Sequence, residues 1–442
     1  MRAFLLFCFL FGVSFVAQAQ DILPPNYSPL AEAYVVLDLD SGRILYSKNP
    51  DERLFPASTT KTMTALVAYE HGKTSQIISV SKEAAHTGES SVYLQEGEKR
   101  TLDELIRAAM IRSANDACVA IADGIAGSVP AFAAMMNDKV KELGLKNTHF
   151  VNPHGLHDPN HFTSARDLAL IAQAFSQVPF LNSVVRQKTT TIGGNAKIGG
   201  VRVLKNRNKL LFRWTACDGL KTGSTKQAGH CLVASATERD PRTGKNWRLL
   251  SVVLKSKGNF TYLDTEFLLQ KAFHSFSPQI VASANAPLWE GDIKDGAVPL
   301  EAVSTRSVEL PLRQDEIGHV TKKVTLLDVP APLKRGQLVG SVVYFANGVR
   351  IAQVPLAAGA DVPQTLLAKT LPSLGSRLSS SLGKRLLWFG MSIALLALLL
   401  VARRLQIDAR RRARRKARTA FRPADIGNQN GSARRDGGRA RS

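Results

Sequence analysis

Residues 56–61 read Pro-Ala-Ser-Thr-Thr-Lys, and the spacing inside that stretch decides how the rest of the chain is read. Ser58 and Lys61 stand three apart at the expected start of a helix, where residues so spaced share one face. A serine hydroxyl is a poor nucleophile until a neighbour removes its proton. A lysine amine does this when burial and nearby positive charge pull its pKa towards neutrality. The helix start also offers unpaired N–H groups to a developing oxyanion. Taken alone, the pair also fits an ordinary capped helix.

Two further stretches extend the pattern. Ser113-Ala114-Asn115 falls between one helix end and the next helix start. A second hydroxyl and an amide there can shuttle a proton and hold a substrate carbonyl; the plain alternative is an N-cap. Residues 218–223 read Asp-Gly-Leu-Lys-Thr-Gly. On an exposed edge strand, Lys221 and Thr222 suit a carboxylate, and Gly223 lets a peptide approach the backbone, as in binding by strand addition.

Around these stretches the chain alternates between strand and helix patterns. Ala33–Asp38 and Arg43–Ser47 read as a hairpin joined by Asp40-Ser41-Gly42. Helices follow from about Ser58, at Leu102–Arg112, from Asn115 to about Ala126, at Pro130–Leu143 and at Arg166–Phe175. The fourth of these has Ser128 as cap, Pro130 in its first turn and Gly144 after its end. Strands return at Cys231–Ala236 and Arg248–Lys255, then a helix at Thr265–Phe273. Strands, a block of helices and strands again imply an α/β domain with a mixed sheet beside a helical cluster. From residue 277 the pattern changes to short strands, with Asn347-Gly348 as a two-residue hairpin signal. Residues 277–360 are therefore expected to form a small all-β domain, and 361–385, rich in small residues and leucine, a linker.

The three stretches together match the Ser-x-x-Lys and Lys-Thr-Gly set of penicillin-recognising enzymes. Over about residues 28–360 the chain resembles the low-molecular-mass penicillin-binding proteins, the serine D-alanyl-D-alanine carboxypeptidases. Leu143–Phe150, Gly155-Leu156, Thr163–Leu168 and Ala228–Ala236 carry the likeness further. The resemblance implies a β-lactamase/transpeptidase-like fold over residues 20–276. It implies that Ser58 forms the acyl-enzyme with Lys61 as its base, that Ser113 passes a proton to the leaving D-alanine, and that Asn115 orients substrate and Lys61. Lys221 and Thr222 would bind the terminal carboxylate, helped by Arg207, and the N–H groups of Ser58 and Ser224 would hold the oxyanion. The implied partners are peptidoglycan stem peptides ending in D-Ala-D-Ala, with β-lactams as covalent inhibitors, and no cofactor or metal is called for.

The two ends give an address. Residues 1–19 have a basic start at Arg2, an apolar run from Ala3 to Val16 and small residues at Ala17-Gln18-Ala19, the parts of a secretory signal. Leu386–Ala402 is an uncharged run of 17 residues between Lys384-Arg385 and Arg403-Arg404. As a helix it reaches about 25 Å, close to the ~30 Å bilayer core, and flanking arginines can snorkel across the remainder. A transmembrane anchor at 386–402 places the body outside the cytoplasmic membrane and the 403–442 tail inside. That tail holds 14 basic and 3 acidic residues, half of the net charge of +22. It agrees with the positive-inside rule and with binding to anionic lipid headgroups. Family members commonly end in an amphipathic helix lying on the membrane, so a span is a departure in the mode of attachment.

Composition excludes other classes. With 44% hydrophobic and 21% charged residues the chain is neither disordered nor polytopic. Four cysteines rule out a disulfide-built scaffold, although Cys217 and Cys231 are candidates for a bridge across a hairpin. Outside its tail the chain is only moderately basic, so no nucleic-acid partner is expected. His154, His157 and His161 have a spacing open to zinc, but no His-Glu-x-x-His motif accompanies them, and satisfied loop histidines fit better. A class A β-lactamase needs a loop glutamate. Glu142, at a helix end, is the only glutamate between Ser113 and Lys221. D,D-endopeptidase action by the same site, or a non-catalytic wall-binding scaffold, are the remaining alternatives; intact motifs disfavour the scaffold.

Overall fold

The computed structural model describes residues 27–366 and, near the C-terminus, residues 400, 402–404 and 406. The expected signal and most of the linker, of the expected span and of the basic tail lie outside the described residues. Among the described residues no single helix is long and apolar enough to cross a membrane. Two compact units are present. One comprises the described residues within Met1–Asp292, Pro299–Val329 and Leu333–Asp361; the other comprises Ile293–Val298, Pro330–Pro332 and those from Val362 onward. The second is knit by backbone bonds such as Ala297 N–H to Pro363 C=O, 2.8 Å, and Ala331 N–H to Lys294 C=O, 2.9 Å.

A five-stranded sheet centres the larger unit, in the order Ile44–Lys48, Ala33–Asp38, Asn246–Ser256, Gly229–Arg239, Cys217–Thr225. All of its pairings are antiparallel. The expected mixed sheet is thus corrected. Each pair consecutive in sequence is a hairpin, and the helical block is crossed once, so no parallel neighbour arises. Period-two alternation sends Val35, Leu37, Leu250 and Val252 to one face, against the helical block. Val36, Leu249 and Val253 go to the other, against the helix Phe260–Ser275 through Leu268, Leu269 and Phe273.

The helix Lys61–His71 runs through the middle of the helical block, and its first eight residues are all buried. Buried on every side, it cannot show a polar face, which is why its pattern lacks the usual stripe. The helix Asn115–Ala126 follows a π-helical turn, Ala108–Arg112, that ends the preceding helix Leu102–Arg107. A small antiparallel hairpin, Thr189–Gly193 with Val201–Lys205, has no counterpart in the sequence reading.

The all-β expectation beyond residue 276 holds. Phe276–Ala282 pairs with Val308–Arg313, and a five-stranded antiparallel sheet is built from residues 287–358. Asn347 and Gly348, at φ 49° and 78°, make the predicted tight turn between Leu338–Ala346 and Val349–Ala358.

Cys217 and Cys231 are free thiols. Cys217 lies opposite Ala236 and Cys231 opposite Gly223. At roughly 3.3 Å per residue that register separates them by about 20 Å along the strands, beyond any disulfide. The bridge is therefore ruled out. Cys118 is buried, with Sγ 3.2 Å from the Ala114 carbonyl.

Candidate active site

Ser58 stands in a 3₁₀ turn, Ala57–Thr60, that leads into the helix Lys61–His71. The turn is held from within by Thr59 and Thr60 hydroxyls donating to the carbonyls of Pro56 (2.7 Å) and Ala57 (2.8 Å). Ala57 is in the left-handed region at φ 48°, a conformation that costs an alanine about 1–2 kcal/mol. Ser113 ends the π-helical turn in the same region, at φ 66°, immediately before Asn115 opens the next helix. Strained backbone of this kind persists only where its surroundings over-determine it.

The Lys61 amine is the centre of the arrangement. Its Nζ donates to Ser58 Oγ at 3.0 Å, to Asn115 Oδ1 at 2.8 Å and to the His154 carbonyl at 2.6 Å. Lys61 is fully buried. Burial above all brings its pKa down to about 8; Arg207 lowers it further, while Cys118, Glu89 and Asp116 act the other way. As an ammonium, Lys61 spends all three protons on these acceptors. Once neutral, it keeps two protons on Asn115 and His154, which leaves its lone pair for Ser58.

Asn115 is itself fixed, donating from Nδ2 to the Gly88 carbonyl at 3.0 Å. The next residue, Asp116, buried, accepts from Ser91 Oγ at 2.6 Å and from the N–H groups of Val92 and Leu94 at 3.1 and 3.0 Å. This clamps the segment around residues 88–94 against the helix that carries Asn115. Arg207 donates to Ser90 Oγ at 2.8 Å on the same segment.

The Lys-Thr-Gly stretch lies on the edge strand, as expected, and Lys221 is buried within it. Burial, then the charges of Lys61 and Arg207, hold the Lys221 pKa well below its ordinary value. Gly223 also makes a close backbone approach of its own. A Cβ there would sit 2.9 Å from the N atoms of Ser58 and Thr59. The missing side chain therefore admits the Ser58 turn against the strand, a packing role that the sequence reading did not include.

Ser58, Ser113, Asn115, Arg207, Thr222, Gly223 and Ser224 line one open cavity of about 670 Å³. The nine residues singled out in the sequence thus converge, Lys61 and Lys221 standing behind that lining. Sequence reasoning missed the His154 carbonyl, since a main-chain acceptor has no side-chain signal. It also missed Glu89, Lys205, Lys209, Phe212 and Tyr262 on the cavity wall. The histidine loop serves the turn: His161 Nε2 is 2.8 Å from Thr60 Oγ1, and His154 Nδ1 accepts from Leu156 N–H at 3.1 Å. Burial first, with Lys61 nearby, pushes His154 down to about 3, and burial pushes His161 down to about 4, so both are neutral. Among the described residues no group of three or more His, Cys, Asp or Glu could hold a metal ion. Glu142 ends its helix exposed, paired with Lys139 at 2.8 Å.

Acyl transfer through serine, with lysine as the base, is the chemistry that this geometry suits. The chain belongs to the D-alanyl-D-alanine carboxypeptidase family, whose model matches residues 20–258; a second model, the C-terminal domain of penicillin-binding protein 5, matches 276–364. D-alanyl-D-alanine carboxypeptidase DacC of Escherichia coli is 35% identical over 379 residues, covering 81% of this chain and 90% of its own. DacF of Bacillus subtilis is 32% identical, covering 77% and 89%. The crystal structure of penicillin binding protein 5 from Haemophilus influenzae aligns with a TM-score of 0.66 at 34% identity, over 78% of this chain and all of that one.

Proposed function

We propose that this protein is a serine D-alanyl-D-alanine carboxypeptidase that removes the terminal D-alanine from peptidoglycan pentapeptides through an acyl-enzyme on Ser58. The observation that carries this is the Lys61 amine, buried and 3.0 Å from the Ser58 hydroxyl. Ser58 Oγ attacks the carbonyl of the penultimate D-alanine as its proton passes to Lys61. The oxyanion rests on the N–H groups of Ser58 and Ser224. The C–N bond breaks, and Ser113 relays the proton to the departing amine. Water then hydrolyses the ester and regenerates the hydroxyl. Lys221, Thr222 and Arg207 receive the substrate's terminal carboxylate, a charge that draws Lys221 back towards its protonated form. β-Lactams mimic the acyl-D-Ala-D-Ala end and acylate Ser58.

The signal-like start and the apolar run at 386–402 support secretion and a single membrane anchor, with the catalytic body on the outer side of the cytoplasmic membrane. The test uses the full-length protein in detergent, with a fluorescent penicillin and a pentapeptide ending in D-Ala-D-Ala. The wild type is expected to take one covalent label and release D-alanine, and Ser58→Ala to do neither. No label on the wild type, or label that persists in Ser58→Ala, sinks the assignment.

A further inference from the structure

The β region holds a second cavity, of about 420 Å³, that shares no lining residue with the one at Ser58. It opens between the ribbon Phe276–Ala282 with Val308–Arg313 and the edge of the five-stranded sheet, where Val320–Leu326 pairs with Leu338–Ala346. Ile280, Val281, Leu288, Leu312, Ile317 and Val320 give it apolar walls. Ile280 and Ile317 leave apolar surface in water there, at 56% and 36% exposure. Lys322 and Tyr344 also line the cavity, directly opposite each other in the strand register, so their side chains leave the sheet as neighbours on one face. By alternation it is the face of buried Val342, which turns inward. Tyr344 is 2% exposed, and its hydroxyl is buried without a hydrogen-bond partner among the described residues. Lys322, exposed at the sheet edge, is the one charged residue lining the cavity and makes no ion pair among the described residues. The remaining polar group, the Gln279 amide, donates to Ser277 Oγ at 3.2 Å.

A buried hydroxyl without a partner is costly, and folded proteins rarely leave one. An inward-facing lysine on an edge strand deters pairing with another chain, but that accounts for neither the hydroxyl nor the hollow beside it. Burial raises the Tyr344 pKa, so the phenol remains a donor at neutral pH. An ammonium group is a donor only. The group that completes the pair is therefore an acceptor with negative charge, and the apolar walls suit hydrocarbon attached to it. We propose that this cavity binds a free single-chain aliphatic carboxylate, its oxygens accepting from Tyr344 and Lys322 and its chain lying against Ile280, Leu312 and Ile317. The volume falls within the range of small-molecule sites. Such a site is independent of the carboxypeptidase reading, since none of its residues belongs to the machinery around Ser58.

The experiment uses the full-length protein in nonionic detergent, dialysed to equilibrium against radiolabelled octanoate, with detergent alone as the blank. The wild type is expected to bind one octanoate per chain. Methyl octanoate, with the same chain and no charge, is expected to bind about tenfold more weakly or not at all, since hydrogen bonds to a charged group are the strong ones. Lys322→Met and Tyr344→Phe are each expected to weaken octanoate binding about tenfold for the same reason. Neither should lower the melting temperature, the first being exposed and the second losing only an unpartnered hydroxyl. Lys322→Met decides the matter should Tyr344→Phe fail to fold. Protein already acylated at Ser58 by a penicillin is expected to bind octanoate as before. No binding above the blank, equal binding of methyl octanoate, or binding unchanged by Lys322→Met overturns the site. Binding abolished by the penicillin also overturns it, because the carboxylate would then lie in the catalytic cavity.

Discussion

At the scale of single residues, the reactivity of Ser58 is a question of when Lys61 is neutral. The amine is held down to about 8 by burial. The neutral base therefore forms as pH rises, about a tenth of it being present at pH 7 and half at pH 8. Acylation by a penicillin, measured as the second-order rate of label incorporation, is expected to rise about tenfold from pH 6 to pH 7 and to level off above pH 8. A flat profile across that range would exclude Lys61 as the base. Burial, and then the charge of Lys61, hold the neighbouring Lys221 well below its ordinary value.

At the scale of elements, the site is made by two backbones pressed onto one turn. Gly223 brings the edge strand against the N atoms of Ser58 and Thr59. Gly155, at φ 86°, brings the histidine loop so close that a Cβ would meet the Ala57 carbonyl oxygen at 1.9 Å. Both contacts are backbone on backbone, so no side chain can swing away to make room. Gly223→Ala is expected to push the turn from the strand and to lower penicillin acylation by about a hundredfold, the usual cost of a displacement near 1 Å. Its melting temperature should move far less than its activity, because the strand keeps its pairing with Gly229–Arg239. Near-normal acylation in Gly223→Ala would show that the close approach is not needed.

At the scale of the whole larger unit, the hairpin that opens the central sheet is tied to the β region. Arg43 donates to Glu316 at 2.6 Å, the two side chains being 9% and 11% exposed, and also to the Pro311 carbonyl. Its guanidinium lies 5.5 Å from the Phe276 ring centroid. Removing one member of a buried pair leaves the other charge uncompensated, at a cost of about 3–5 kcal/mol. Arg43→Ala is expected to lower stability in urea unfolding by that order. Arg43→Ala/Glu316→Ala should lose less than the sum of the single changes. Penicillin acylation at Ser58 should stay within twofold of wild type, since neither residue touches the cavity. Strict additivity would mean that the pair contributes nothing.

Much of this architecture was legible in the chain because it is local. Hairpin turns, caps and alternation placed the strand Ala33–Asp38 and the helix Asn115–Ala126 where they occur, and the order of three short stretches named the chemistry. Short elements without periodicity escaped, among them the hairpin Thr189–Lys205 that carries Lys205 to the cavity wall. Register escaped too, since it is set by pairing across the sheet; it separates Cys217 from Cys231 and makes every neighbour antiparallel. The amino-acid order fixes which groups are present and how far apart they lie along the backbone. Only tertiary packing buries Lys61, aims the His154 carbonyl at it and closes Gly223 onto Ser58, because burial and backbone contact depend on segments distant in the chain.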